Sequence, residues 1–144
     1  MINLAKSLEA RLHFALGTAF PQTQGPQKNL DPQLVPASKI EFGDFQVNGA
    51  LSLAKILKKP PREIAQAIVD QLNKDKEFLA ICEPPEIAGP GFINLTIKIS
   101  CLNLEIENRL KDKRLGVPLA KSHGNNNNLI VVDFSSPNIA KEMH

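Results

Sequence analysis

The stretch Phe92-Ile93-Asn94-Leu95-Thr96-Ile97-Lys98-Ile99 gives the clearest secondary-structure signal in the chain. From Ile93 onward its apolar and polar side chains alternate strictly, which is the period of a β-strand with one buried face. The turn sequence Gly89-Pro90-Gly91 comes directly before it. The strand is predicted to turn Ile93, Leu95, Ile97 and Ile99 to the core, and Phe92, Asn94, Thr96 and Lys98 to the opposite side.

Helical periodicity predicts about four helices around this strand. They are predicted over residues 2–19, over 50–57, from Pro61 onward and over about 101–112. Pro61 suits the first turn of a helix, where its missing N–H costs no hydrogen bond. In the last helix, Leu102, Ile106 and Leu110 mark the apolar stripe.

Shorter apolar runs predict two further strands, over 40–47 and 78–82, whereas 21–37 is predicted to be a connector. The predicted fold class is therefore α/β in the broad sense and α+β in detail. A small mixed or antiparallel sheet would pack with the helices. This first domain is predicted to cover residues 1–115.

Length and composition set limits on the class of protein. A chain of 144 residues has room for one domain with a core and a short appendage. A net charge of +2 does not by itself argue for nucleic-acid binding, so any such site must be local. Cys82 and Cys101 lack metal-ligand spacing, so no metal site is expected and a buried, reduced pair is predicted, as in a cytosolic protein.

No apolar run approaches the roughly 20 residues of a membrane span, and the N-terminus lacks the apolar segment of a signal peptide. The expectation is a cytoplasmic protein that does not bind a membrane.

Two surfaces could bind RNA, and each has a structural alternative. On one face of the 92–99 strand, the Phe92 ring could stack on an unpaired base and the Asn94 amide could read its edge, while Lys98 meets a phosphate. Alternatively, Phe92 packs under a helix and Asn94 caps a turn. The second surface is a basic cluster around the Pro60-Pro61 junction. This cluster is either a solvated surface or a surface that binds RNA phosphates. Its members are Lys55, Lys58, Lys59 and Arg62.

The end of the chain has a different organisation. Residues 116–128 contain Pro118, Gly124 and four consecutive asparagines, so they are predicted to be a linker. Leu129–Val132 then has the β-branched pattern of a buried strand, and polar residues follow it. Ligands bind outside the carboxyl ends of such strands in open α/β sheets, but such residues equally serve as turn formers and helix caps. Because no further strands follow, the 129–144 segment is expected to be incomplete.

Three motifs point to a known family. Phe134-Ser135-Ser136-Pro137-Asn138-Ile139-Ala140-Lys141-Glu142-Met143-His144 resembles the sequence leading into the His-x-Gly-His signature of arginyl-tRNA synthetase, a class I enzyme. Phe42-Gly43-Asp44-Phe45-Gln46-Val47-Asn48-Gly49 and Gly89-Pro90-Gly91-Phe92-Ile93-Asn94 resemble its amino-terminal domain. The resemblance implies that residues 129–144 are the first strand of a Rossmann-like catalytic domain.

The resemblance also implies roles for individual residues. Phe92 and Asn94 match the aromatic residue and the asparagine that read a D-loop base of the tRNA. Ser136 and Asn138 match positions that bind arginine, and Asp133 is expected to help orient that site. His144 and Lys141 match residues at the ATP phosphates, where positive charge stabilises the reaction.

A complete enzyme of this family is an arginine–tRNA ligase. It uses ATP with Mg²⁺ to form an arginyl-adenylate and then charges the arginine tRNA. This chain alone is expected to be a catalytically inactive monomer, and no cofactor is expected for it. It is expected to bind the D-arm of arginine tRNA weakly and in a salt-sensitive manner. The alternative is a docking module that positions the catalytic body without reading a base.

Overall fold

The computed structural model describes residues 4–21 and 30–117, and within them the α+β fold class is confirmed. The helices are α1 (Leu4–Ala19), α2 (Gly49–Leu57), α3 (Pro61–Leu72), α4 (Lys76–Ile81) and α5 (Ile99–Lys111). The strands are β1 (Leu34–Pro36), β2 (Phe45–Val47), β3 (Glu86–Ala88) and β4 (Phe92–Leu95). None of the helices described is long and apolar enough to cross a membrane.

The four strands form one antiparallel sheet in the order β1-β2-β4-β3. Gln46 of β2 pairs with Asn94 of β4, and Asn94 in turn pairs with Glu86 of β3. Residues in register across a sheet point to the same side, so these three side chains form one row. Ile93 and Leu95, which alternate with them, are fully buried.

The core forms between this apolar side of the sheet and the helices. The apolar stripes of α1 and α3 are buried there. Pro61 occupies the first position of α3, as expected. The buried helical residues are Leu8, Leu12, Ala15 and Leu16 of α1, and Ile64, Ala65, Ile68, Val69 and Leu72 of α3.

The predicted strand over 78–82 is wrong, because this segment forms α4. Asp75 caps the helix: its Oδ1 accepts hydrogen bonds from the N–H groups of Glu77 at 2.9 Å and Phe78 at 3.1 Å. Such a cap satisfies N–H groups that the first turn leaves unpaired. Phe78 and Cys82 are both fully buried, which fits one helical face because they are four residues apart.

The prediction that the 92–99 strand continues to Ile99 is also wrong. β4 ends at Leu95, and the N–H of Ile97 donates to Oδ2 of Asp44 at 2.7 Å. Lys98 then occupies the N-cap position of α5. Ile99 is 74% exposed instead of facing the core, whereas Ile93, Leu95 and Ile97 are buried as predicted.

Two short segments differ from their predicted structure. In 40–47, only Phe45–Val47 is a strand, because Ile40–Phe42 forms a 3₁₀ turn. Gly43 separates the two with a φ of 81°, and a Cβ atom there would lie 2.6 Å from the carbonyl oxygen of Leu95. β1 lies within the predicted 21–37 connector.

Both cysteines are free, as predicted, but the predicted burial holds only for Cys82. Cys82 is fully buried and Cys101 is half-buried. Burial, with a smaller contribution from the Asp44 carboxylate, raises the pKa of the Cys82 thiol from 9.0 to about 12. The neutral thiol is thus the form that packs in the core at physiological pH.

Most of the predicted linker, and all of the 129–144 segment, lie outside the described residues. The domain boundary at 115 therefore stays a prediction.

Candidate nucleic-acid interface

The side of the sheet opposite the core carries the residues predicted to contact RNA. We call it the open face and define it by Gln46, Glu86, Phe92 and Asn94. Phe92 and Asn94 are half-buried. The alternation in the sequence therefore placed this pair correctly on one side of β4, and the structure adds Gln46 and Glu86 beside them.

Phe92 does not serve the core. The half-buried apolar residues that pack against the core cluster, such as Phe45 and Ile87, do not include it. Its ring instead lies over the turn before β4, where a Cβ atom on Gly89 would be 3.7 Å from Cδ2 of the ring. Phe92 is thus half-buried at this turn and lies outside the core cluster.

Asn94 does not cap a turn, because it lies within β4. Its Oδ1 accepts a hydrogen bond from Nε2 of Gln46 at 2.9 Å. Gln46 was missed in the sequence because the pairing joins residues that are 48 positions apart. The only available signal was that Gln46 belongs to one of the family-like motifs and alternates with Phe45 and Val47.

A cavity of about 190 Å³ opens beside Asn94. Three of its lining residues are carboxylates, Glu41, Glu83 and Glu86, and Thr96 adds a hydroxyl. Carboxylates accept hydrogen bonds from N–H groups and repel phosphates. This end of the open face thus suits the donor groups of a base edge better than the RNA backbone.

One basic residue, Arg62, lies near Phe92. Nη1 of Arg62 donates to the carbonyl oxygen of Gly89 at 2.9 Å, which ties the start of α3 to the turn that precedes β4. Gly91 sits so close to Pro61 that a Cβ atom on it would be 2.9 Å from the Pro61 carbonyl. Lys58 and Lys59 are exposed at this junction. Arg62 of the basic cluster therefore lies at the turn that the Phe92 ring contacts.

Lys98 lies past the end of β4, so the alternation that placed it beside Asn94 does not reach it. Its Nζ donates a hydrogen bond to the carbonyl oxygen of Leu79, and its N–H donates to Ile81. The side chain thus joins the start of α5 to α4. Its contact with a phosphate stays a prediction.

The helix α5 exposes its apolar stripe. Of its thirteen residues only Glu105 is buried, and one oxygen of that carboxylate has no hydrogen-bond partner among the described residues. Helix α5 therefore contributes little to the described core, and its apolar side is uncovered there. The exposed apolar residues are Ile99, Leu102, Leu104, Ile106 and Leu110, with Leu115 and Val117 just beyond the helix.

The residues expected to bind arginine and ATP, namely Asp133, Ser136, Asn138, Lys141 and His144, all lie outside the described residues. Within 4–21 and 30–117, no group of three or more His, Cys, Asp or Glu residues could hold a metal ion. The open face is therefore the candidate site within the described residues.

Comparison with known proteins agrees with the motifs. The family model described as "Arginyl tRNA synthetase N terminal domain" matches residues 3–97. The chain belongs to this family. The matched range contains the sheet, helices α1 to α4 and every residue of the open face.

Full-length relatives show how much of such a protein this chain spans. It is 59% identical to an arginine–tRNA ligase of Prochlorococcus marinus (strain MIT 9313), with 100% of the chain and 24% of the relative covered. It is 57% identical to an arginine–tRNA ligase of Synechococcus sp. (strain CC9605), with 100% of the chain and 23% of the relative covered. The chain therefore spans about a quarter of the length of the curated relatives that it matches.

Among solved structures, the arginyl-tRNA synthetase of Plasmodium falciparum matches 73% of this chain and 17% of its own, with a TM-score of 0.57 and 20% identity. That likeness supports the fold.

Proposed function

We propose that this domain binds the D-arm of arginine tRNA through the open face, as the amino-terminal part of an arginine–tRNA ligase. The observation that carries the proposal is Phe92. It is an aromatic side chain on the open side of the sheet, outside the core cluster, next to an amide that can pair with a base edge. RNA-binding sheets use such rings to stack unpaired bases.

The charge distribution supports one orientation of the RNA. Arg62, which bonds to the turn before Phe92, and the exposed Lys58 and Lys59 just before the same helix would meet phosphates, whereas Glu41, Glu83 and Glu86 beside Asn94 would repel them. A base stacked on Phe92 would then turn its edge toward Asn94, away from the basic cluster. Binding is expected to be weak because few phosphates are contacted. It is expected to weaken further as salt is raised, because each phosphate contact releases counterions.

Alanine substitutions at Phe92 and Asn94 test the proposal. Titration of the chain with arginine tRNA is expected to give about tenfold weaker binding for Phe92→Ala, because stacking contributes about 1–3 kcal/mol per base. Asn94→Ala is expected to weaken binding about fivefold through a lost hydrogen bond. Phe14→Ala is the matched control, because Phe14 is a 66% exposed phenylalanine on α1. Unchanged binding by both open-face variants would reject the proposal.

The complete protein is proposed to join arginine to its tRNA through an arginyl-adenylate, with ATP and Mg²⁺ as its substrate and ion. In that protein, Ser136, Asn138 and Asp133 would bind arginine, and His144 and Lys141 would stabilise the ATP phosphates. The described domain supplies none of these groups. It would act as a cytoplasmic tRNA-holding module.

The exposed stripe of α5 favours a second, compatible function, which is docking on the catalytic body. An apolar stripe exposed on a helix marks an interaction surface. Placing an aspartate at Ile106, which is 55% exposed, is expected to lower aminoacylation by the complete ligase at least tenfold while tRNA binding by this chain stays the same. Exposed Asn108→Asp on the same helix controls for the added charge. Full activity of the Ile106→Asp ligase would show that the α5 stripe does not dock on the catalytic body.

A further inference from the structure

We infer that Gln46 is a positioning residue, which fixes the polarity with which Asn94 meets a nucleobase. The inference rests on the proposed RNA contact of the open face and adds to it a determinant of specificity. Gln46, Asn94 and Glu86 lie in one row across β2, β4 and β3.

The row has a fixed order of donors and acceptors. An amide has one oxygen acceptor and one NH₂ donor, so an asparagine side chain can point either group to either neighbour. Nε2 of Gln46 donates to Oδ1 of Asn94 at 2.9 Å, which assigns the oxygen to the Gln46 side. Glu86, in register on the other side, has a carboxylate that only accepts hydrogen bonds, and this favours the NH₂ group of Asn94 on its side.

The consequence is a defined surface for the ligand. Within the described residues, no hydrogen bond from Nδ2 of Asn94 is found, and Asn94 and Glu86 both line the cavity. An entering base therefore meets an N–H donor beside a carboxylate acceptor. The matching edge offers an acceptor, such as a carbonyl oxygen or a ring nitrogen, next to an N–H donor.

Without Gln46, the Asn94 amide would be free to turn over. Only Glu86 would then favour the NH₂ group at the ligand side, so orientations that present an oxygen where the base requires a donor would become more populated, and an unpaired polar group at the contact weakens binding. Gln46 would thus act on the RNA through Asn94, without itself touching the base.

A double-mutant cycle tests this role with the 144-residue chain and transcribed arginine tRNA. Gln46→Met keeps the length of the side chain and its neutrality but removes the donor. It is expected to weaken tRNA binding about fivefold alone and to have no further effect when combined with Asn94→Ala, because residues that act through one another are not additive. Gln66→Met is the control. Gln66 also donates a hydrogen bond to a side chain, that of Asp70, at 2.8 Å, and both residues lie on the exposed side of α3.

A spectroscopic signature separates positioning from general stability. The side-chain amide signals of Asn94 are expected to move in Gln46→Met and to stay in place in Gln66→Met, with the thermal midpoint unchanged in both.

Each outcome of the cycle decides one point. If Asn94→Ala weakens binding and Gln46→Met does not, the positioning role is wrong and the RNA contact stands. If Gln46→Met weakens binding equally with and without Asn94, Gln46 acts independently and the inference also fails. If Asn94→Ala itself has no effect, the base contact proposed for Asn94 fails and the role of Gln46 fails with it.

Discussion

Phe78→Ala is expected to lower the free energy of unfolding by about 3–5 kcal/mol, the usual cost of removing a buried phenylalanine ring. Phe78 is fully buried, and it is the only buried residue of α4. Its loss would leave a cavity where α4 packs against the core. Chemical denaturation followed by circular dichroism measures the change.

Phe14→Ala provides the comparison for this measurement. Phe14 is 66% exposed on α1, so its replacement is expected to change the free energy of unfolding by less than about 0.5 kcal/mol. Equal stability losses at the two positions would mean that α4 does not pack as described.

Gly91→Ala is expected to have the second largest effect, and it acts on the interface as well as on stability. Gly91 has a φ of 149°, and a new Cβ atom would lie 2.9 Å from both the carbonyl carbon and the oxygen of Pro61. The unfavourable backbone conformation costs about 1–3 kcal/mol. Because the steric overlap adds to this cost, the start of α3 and the turn before Phe92 must separate. Thermal unfolding and tRNA titration measure the two effects.

Gly89→Ala, in the same turn, is the matched control. Gly89 also has a positive φ, 52°, but a Cβ atom there meets only the Phe92 ring, at 3.7 Å. Its cost is expected to be limited to about 1–2 kcal/mol for the left-handed conformation. If Gly89→Ala is the more damaging variant, the close contact between Gly91 and Pro61 is not what holds the turn.

Strong local signals in the sequence were sufficient for the main helices and for one side of β4. The α3 stripe and Pro61 specify a helix without reference to the rest of the chain, and Ile93 and Leu95 alternate with Phe92 and Asn94. The short segments failed for a physical reason. Phe78–Cys82 is apolar enough for a strand, but the segment forms a helix that the carboxylate of Asp75 caps.

Contacts between residues far apart in the chain could not be predicted from the sequence. The hydrogen bond from Ile97 to Asp44 spans 53 positions and coincides with the end of the regular strand. The hydrogen bond between Gln46 and Asn94 likewise depends on how β2 pairs with β4. The exposure of the α5 stripe is also a tertiary property, because periodicity predicts a stripe but not which surface covers it.

We propose that tRNA lies on the open face with its D-loop at Phe92. Photocrosslinking tests it most directly: p-benzoylphenylalanine is placed at position 92, and in a control at position 14, and the crosslinked tRNA nucleotide is mapped by primer extension. We expect a crosslink from position 92 to the D-loop that is lost at high salt, and none from position 14. Equal crosslinking from both positions, or a crosslink from position 92 only outside the D-arm, would contradict it.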